Sequence, residues 1–123
     1  IYMQFQDLLA YKKSFALAMK IFHISKNFPK EEKYSLTDQI RRSSRSVSAN
    51  IAEAYRKRSN PKHFISKLTD SDAENSETQT WLEFALKCEY IDQKAFNDLI
   101  NDSEEVGKLL NYMINNPSKF GSA

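Results

Sequence analysis

Apolar residues recur along most of the chain at alternating steps of three and four, the seam spacing of packed helices. A first helix is expected over about residues 6–26. Leu8, Tyr11, Phe15, Ala18 and Phe22 form one seam, and Leu17, Ile21, Ile24 and Phe28 form a second. A helix apolar on two sides packs against more than one neighbour. Phe28-Pro29 should end it, because the residue before proline disfavours the α region. Lys30 to Ser35 is a charged connector, with Ser35 or Thr37 as a cap for the next helix. That second helix, about 36–57, follows Leu36, Ile40, Ser43, Val47, Asn50 and Ala54.

Asn60-Pro61 sets a capping side chain before a proline at the first helical position. It opens a third helix, about 61–88, along Phe64, Leu68, Ser71, Asn75, Thr78, Leu82 and Ala85. The small and polar members fall in the middle of that seam. They predict close backbone approach, a buried hydrogen-bonded layer, or both. Trp81, Phe84 and Cys88 lie off the seam and thicken the apolar face near its end. Asp92 caps a fourth helix, about 93–115, along Phe96, Leu99, Ser103, Val106, Leu110 and Met113. Gly107 inside it costs about 1 kcal/mol relative to alanine. Asn115-Asn116-Pro117 stops the helix, and Ser118–Ala123 is expected to be loose.

Four helices with short connectors predict an all-α, antiparallel, up-down four-helix bundle, with residues 1–123 forming one domain. Only two glycines and three prolines are present, too few for the many turns of sandwiches, barrels or doubly wound sheets. No run approaches the roughly 20 apolar residues of a membrane span. Ile1-Tyr2-Met3 does not read as a signal peptide, although a chain without an initiator methionine at position 1 suggests a trimmed or partly ordered terminus. The single cysteine, Cys88, cannot form an internal disulfide, which fits a cytoplasmic protein. Free cysteines are more often small core residues than nucleophiles, and no histidine lies near this one in sequence.

Catalytic chemistry finds little support. His23 and His63 fall on different helices, and two glycines cannot build a phosphate loop. No glutamate is followed three residues later by histidine, as a di-iron bundle site requires. Glu74 and Glu77 are three apart and could share a face with Glu53, but the nitrogen ligands of a metal site are absent. No metal, cofactor, catalytic residue or small-molecule substrate is therefore expected.

The charged residues carry the functional lead. A net charge of +2 is close to neutral, so any nucleic-acid signal must lie in distribution. Between Arg41 and Arg58 the chain holds Arg41, Arg42, Arg45, Arg56, Lys57 and Arg58 against Glu53 alone. Such a row supplies phosphate contacts, and Tyr55 among the cations is a candidate for stacking on an unpaired base. The competing reading is that the acids of the third helix pair with these arginines, within or between subunits. Charge runs more often mean a solvated or self-paired face.

Several of these residues form an ordered set. Gln39-Ile40-Arg41-Arg42-Ser43, Ser46-Val47, Asn50-Ile51-Ala52-Glu53, Asp72-Ala73-Glu74-Asn75-x-Glu77-Thr78-Gln79, Trp81-Leu82 and Tyr90-Ile91 follow Phe5-x-Asp7-Leu8 and Phe28-Pro29. The set resembles the bacterial four-helix-bundle family encoded in intervening sequences of large-subunit ribosomal RNA genes. It is also similar to the accessory variability determinant of diversity-generating retroelements. The resemblance implies a homopentamer with a central channel. For the second of these relatives it also implies nucleic-acid binding beside a reverse transcriptase. Asn50, Glu53, Glu74, Asn75 and Glu77 match the family's polar pattern and are read as a buried or interface hydrogen-bond network. Two positions depart from it: Ala54 and Glu89 stand where glycine is usual. Ala54 should let the second helix run on through Arg58, and Glu89 puts a tight left-handed turn in doubt. Taken together, a non-enzymatic oligomeric module that binds RNA or DNA through its second helix is expected. The alternative is a structural module whose charges pair between subunits.

Overall fold

A computed structural model describes residues 3–122. The readings that touch Ile1, Tyr2 and Ala123 lie outside the described residues. Four helices, α1 (Leu9–Ser25), α2 (Leu36–Arg56), α3 (Pro61–Lys87) and α4 (Gln93–Asn115), pack as a bundle in which α1–α2, α2–α3, α3–α4 and α1–α4 are neighbours. No strand occurs among the described residues. No helix there is long and apolar enough to cross a membrane.

The helix ends follow local chemistry. A short 3-10 turn, Phe5–Asp7, precedes α1, and Leu8 between them is extended at φ −64°, ψ 132°. α1 therefore starts three residues later than its apolar seam predicts. It also stops before Phe28, winding down through i→i−3 bonds from Lys26, Asn27 and Phe28. At α2 the Ser35 side chain does not cap. Its hydroxyl donates to Glu32 Oε1 at 2.6 Å, and that same oxygen accepts the Leu36 N–H at 3.2 Å. The distal carboxylate of the connector thus takes the cap role. α2 ends at Arg56, short of the extension through Arg58 that Ala54 was expected to allow. α3 and α4 begin as their sequences predict: Asn60 accepts the Lys62 and His63 amides, and Asp92 accepts the Ala95 amide.

The turn after α3 is tight and left-handed in spite of its residue. Glu89 sits at φ 63°, with Glu89 N–H on the Leu86 carbonyl and Tyr90 N–H on the Ala85 carbonyl at 2.8 Å. That is the double closure of a helix ended by a left-handed residue, a conformation only glycine enters freely. The tail also differs from expectation. Pro117–Phe120 forms a 3-10 turn, Phe120 meets Tyr112 edge-on at 6.0 Å, Gly121 is left-handed, and Ser122 is buried. Cys88 is exposed at the end of α3 rather than in the core.

The core is two apolar clusters separated by a polar layer. One, around Ile51, Phe64, Leu68 and Leu110, fills the end where α1 starts. The other, around Ile21, Ile40, Leu82 and Leu99, fills the opposite end. Between them the hydroxyls of Ser14 and Ser48 meet at 2.9 Å and join α1 to α2. Thr78 donates to Ser43 at 2.9 Å and Ser71 to the Val47 carbonyl at 2.8 Å, joining α3 to α2. Asn75 and Ser103 exchange two bonds of 2.9 Å, with Gln79 donating to Ser103, and join α3 to α4. Lys13–Glu105 at 2.8 Å and Lys20–Asp102 at 2.7 Å close the circuit from α1 to α4 at the surface.

Two consequences are measurable. Replacing Glu89 by glycine removes the steric cost of a left-handed side chain and should stabilise the protein by about 1 kcal/mol, read as a higher denaturant midpoint at unchanged slope. The second concerns Glu32. Hydrogen bonds from Ser35, Tyr90 and the Leu36 amide hold its carboxyl below the usual range, and its bond pushes Tyr90 up to about 12. A depressed carboxylate stabilises the fold above its unfolded pKa, and that contribution is lost as pH falls through the folded value. Glu32→Gln should lower stability at neutral pH, flatten the loss below about pH 4.5, and return the Tyr90 titration toward 10.

Candidate nucleic-acid interface

The six cations of α2 and its end meet three different fates. Arg42 is committed to the fold: Nη1 lies 3.2 Å from Glu74 and Nη2 2.6 Å from Glu77, bridging α2 to α3. Burial raises Glu74, while the hydrogen bond from Glu74 holds Glu77 down, so Glu74 is the first of the two to take a proton as pH falls. Arg58 is also structural. It donates to the Tyr55 carbonyl at 2.7 Å, lies over the Tyr55 ring at 3.9 Å and borders Gly121. Tyr55 itself is buried under that guanidinium, at 7% exposure, so its face is not free to take a base. Its place on α2, four residues after Ile51, turns it into the core.

Arg41, Arg45, Arg56 and Lys57 make no ion pair with a carboxylate among the described residues. Arg41 donates through Nε to Ser25 at 2.8 Å and lies 4.8 Å from the Phe22 ring centre, which leaves the outer edge of its guanidinium free. Arg45 lies over the same ring at 5.7 Å and is exposed. Arg56 and Lys57 are exposed at the end of α2. Beside them a cleft of about 380 Å³ opens between the first turn and α2, with Arg56 and Arg58 on its wall.

Charge is segregated across the bundle. α1 and α2 together hold seven basic residues and two acidic ones, whereas α3 and α4 hold five basic and nine acidic. α1 has no acidic residue at all. Of the two acids on α2, Glu53 is taken by Lys67 of α3 at 3.0 Å. The α1–α2 side therefore presents cations against a nearly acid-free background.

The same side is also apolar. Of the first seam expected on α1, Leu8 and Ala18 are buried and Tyr11 and Phe22 half-buried, but Phe15 is 51% exposed, and Met19 beside it 42%. Leu17 and Ile21 of the second seam are buried as expected, and Ala10 and Ser14 join them in the interior. With Ala49 and Ala52 of α2, Tyr11 and Phe15 line a groove of about 430 Å³ that has Arg45 on its rim. These are the residues a reading of α2 alone misses. The signal was the first seam of α1, more aromatic than a single buried face needs. A second apolar hollow, of about 420 Å³, joins Tyr34 of the connector before α2 to Trp81, Phe84 and Cys88 at the end of α3, with Tyr34 84% exposed.

The polar set expected to form one network is divided. Asn75 lies in the buried layer with Ser103. Glu74 and Glu77 hold Arg42 at the layer's edge. Asn50 is half-buried and donates only to the Ser46 carbonyl of its own helix, at 2.9 Å, and Glu53 is exposed. Ile51 takes the core place that Asn50 was expected to hold. Glu53 thus stands apart from Glu74 and Glu77. Among the described residues no three histidine, cysteine or acidic side chains come close enough to hold a metal ion.

Known proteins add the relationship. No curated protein matches the chain. The crystal structure of a protein of unknown function from the S23 ribosomal protein family of Bacteroides thetaiotaomicron is 36% identical. It superposes with a TM-score of 0.80 over 89% of this chain and 98% of that one. Residues 6–112 match the family described as 23S rRNA-intervening sequence protein. On a match that spans three helices and most of the fourth, the chain belongs to the 23S rRNA-intervening sequence protein family.

Proposed function

We propose that this protein is a non-catalytic, oligomeric helical bundle that binds nucleic acid, RNA in particular, through the α1–α2 side. The observation that carries the reading is the set Arg41, Arg45, Arg56 and Lys57 on a side with almost no acids, while Arg42 beside them is neutralised by Glu74 and Glu77. Cations that face solvent without partners are available to phosphate, and each contact releases condensed counterions. A pentamer is the form the sequence resemblance implies, and the single cysteine fits a place in the cytoplasm. Copies repeated around a ring would multiply weak sites through effective concentration.

The Tyr34–Trp81–Phe84 surface supports the assembly part, since lone soluble bundles seldom expose contiguous aromatic patches. Phe84→Glu should lower the mass seen by sedimentation velocity without unfolding the bundle. A wild-type protein that sediments as a monomer overturns the assembly.

For binding, the affinity of the purified protein for RNA is followed against salt. Each phosphate contact adds about 0.7 to the log–log slope for a single strand, or 0.9 for a duplex. Arg45→Ala with Arg56→Ala and Lys57→Ala should weaken binding at least tenfold and flatten that slope while circular dichroism stays unchanged. No binding at low salt by an intact oligomer overturns the reading. It leaves the rival, a structural module whose charges pair between copies, for which salt loosens the oligomer instead.

A further inference from the structure

We propose that the α1–α2 groove takes an unpaired RNA strand, with bases against Tyr11 and Phe15 and phosphates on Arg45 and Arg56. This rests on the nucleic-acid reading above and narrows it to one strand form and one surface.

Three observations converge on the groove. First, aromatic rings follow one another along it: Phe5 meets Tyr11 at 5.2 Å and Tyr11 meets Phe15 at 5.9 Å. Phe15 is half exposed although it sits on a helix with a full buried face of its own. Second, the facing wall of α2 is small. Ala49 and Ala52 leave room for a flat ring to lie against the aromatic wall. Third, the charge on the rim has one sign. Arg45 lies on the groove, Arg41 sits above it over Phe22, and Arg56 follows on the same face of α2, four residues after Ala52. α1 contributes no acid to oppose them.

An apolar, aromatic floor between cations matches single-stranded nucleic acid. Successive base faces stack on the rings while the backbone tracks the basic edge. A duplex keeps its bases stacked on one another, presents only phosphates and groove edges, and would leave the floor uncovered. A partner protein would cover the floor as well. An acid-free rim of arginines, however, is complementary to a polyanion along its whole length; Glu74 and Glu77 of α3 are already paired with Arg42, and Glu53 of α2 with Lys67.

The test uses the full chain in its native assembly state, with a 12-nucleotide oligouridylate, an oligothymidylate of the same length and a 12-base-pair RNA duplex, titrated by anisotropy. The oligouridylate should bind more tightly than the duplex. Phe15→Ala should weaken oligouridylate binding about tenfold or more with the salt slope unchanged, because stacking releases no counterions. Arg45→Ala should reduce the slope by about one contact. Phe15 is half exposed, so its loss should leave the unfolding midpoint near wild type, and Tyr11→Ala gives a second stacking variant. Duplex binding equal to strand binding, with both stacking variants silent, overturns the groove assignment and leaves nucleic-acid binding standing. No binding to any of the three removes both. Oligothymidylate binding tighter than oligouridylate overturns RNA as the ligand. A fall in oligomer mass on Phe15→Ala overturns the inference in favour of a second copy in the groove.

Discussion

Every spatial relation in this bundle depends on the hydrogen-bonded layer at its waist. Ser14 with Ser48, Ser43 with Thr78, Ser71 with the Val47 carbonyl, and Asn75 with Ser103 are all buried, and each pair joins two helices. Apolar burial is non-directional, but a buried hydroxyl or amide moved from its partner costs about 1–3 kcal/mol. The layer therefore fixes the axial register of α1, α2, α3 and α4 together. The residues that form it are small, and the large apolar residues collect in clusters above and below.

That register decides which charges are free. It brings Arg42 opposite Glu74 and Glu77 and Lys67 opposite Glu53. It leaves Arg45 and Arg56 along the boundary with a helix that has no acids. Because Ala10, Ser14 and Ala18 occupy the interior of α1, its aromatic residues are displaced to the same boundary. Cations and aromatic rings share one groove as a result of how the interior is filled.

The seam of α3 was fully legible in sequence: all seven positions from Phe64 to Ala85 are buried. Its long unbroken helix and its central Ser71, Asn75 and Thr78 pointed directly to a polar layer. The inward face of α1 was less legible. Hydropathy favours Tyr11, Phe15 and Phe22, whereas the interior also takes the small Ala10 and Ser14, a preference that arises only once the neighbours are in place. Tyr55 looked available because its sequence neighbours are charged, but its helical neighbour is Ile51 and it turns inward. Cys88 follows burial habits only on average, and here the end of α3 leaves it outside. The division of the arginines was beyond sequence reading, because pairing depends on the register between α2 and α3. Glu89 shows the reverse case, a local preference overruled by the two hydrogen bonds that close the turn.

The most direct measurement is a double-mutant cycle on Asn75 and Ser103, with Asn75→Ala, Ser103→Ala and the pair compared by denaturant unfolding. If the layer acts as a unit that holds the register, either single change leaves a buried polar group unsatisfied, and the second change then costs much less. The coupling should reach about 1 kcal/mol or more. Additive losses, with no coupling between the two, would contradict the account and show that apolar packing alone sets how these helices lie.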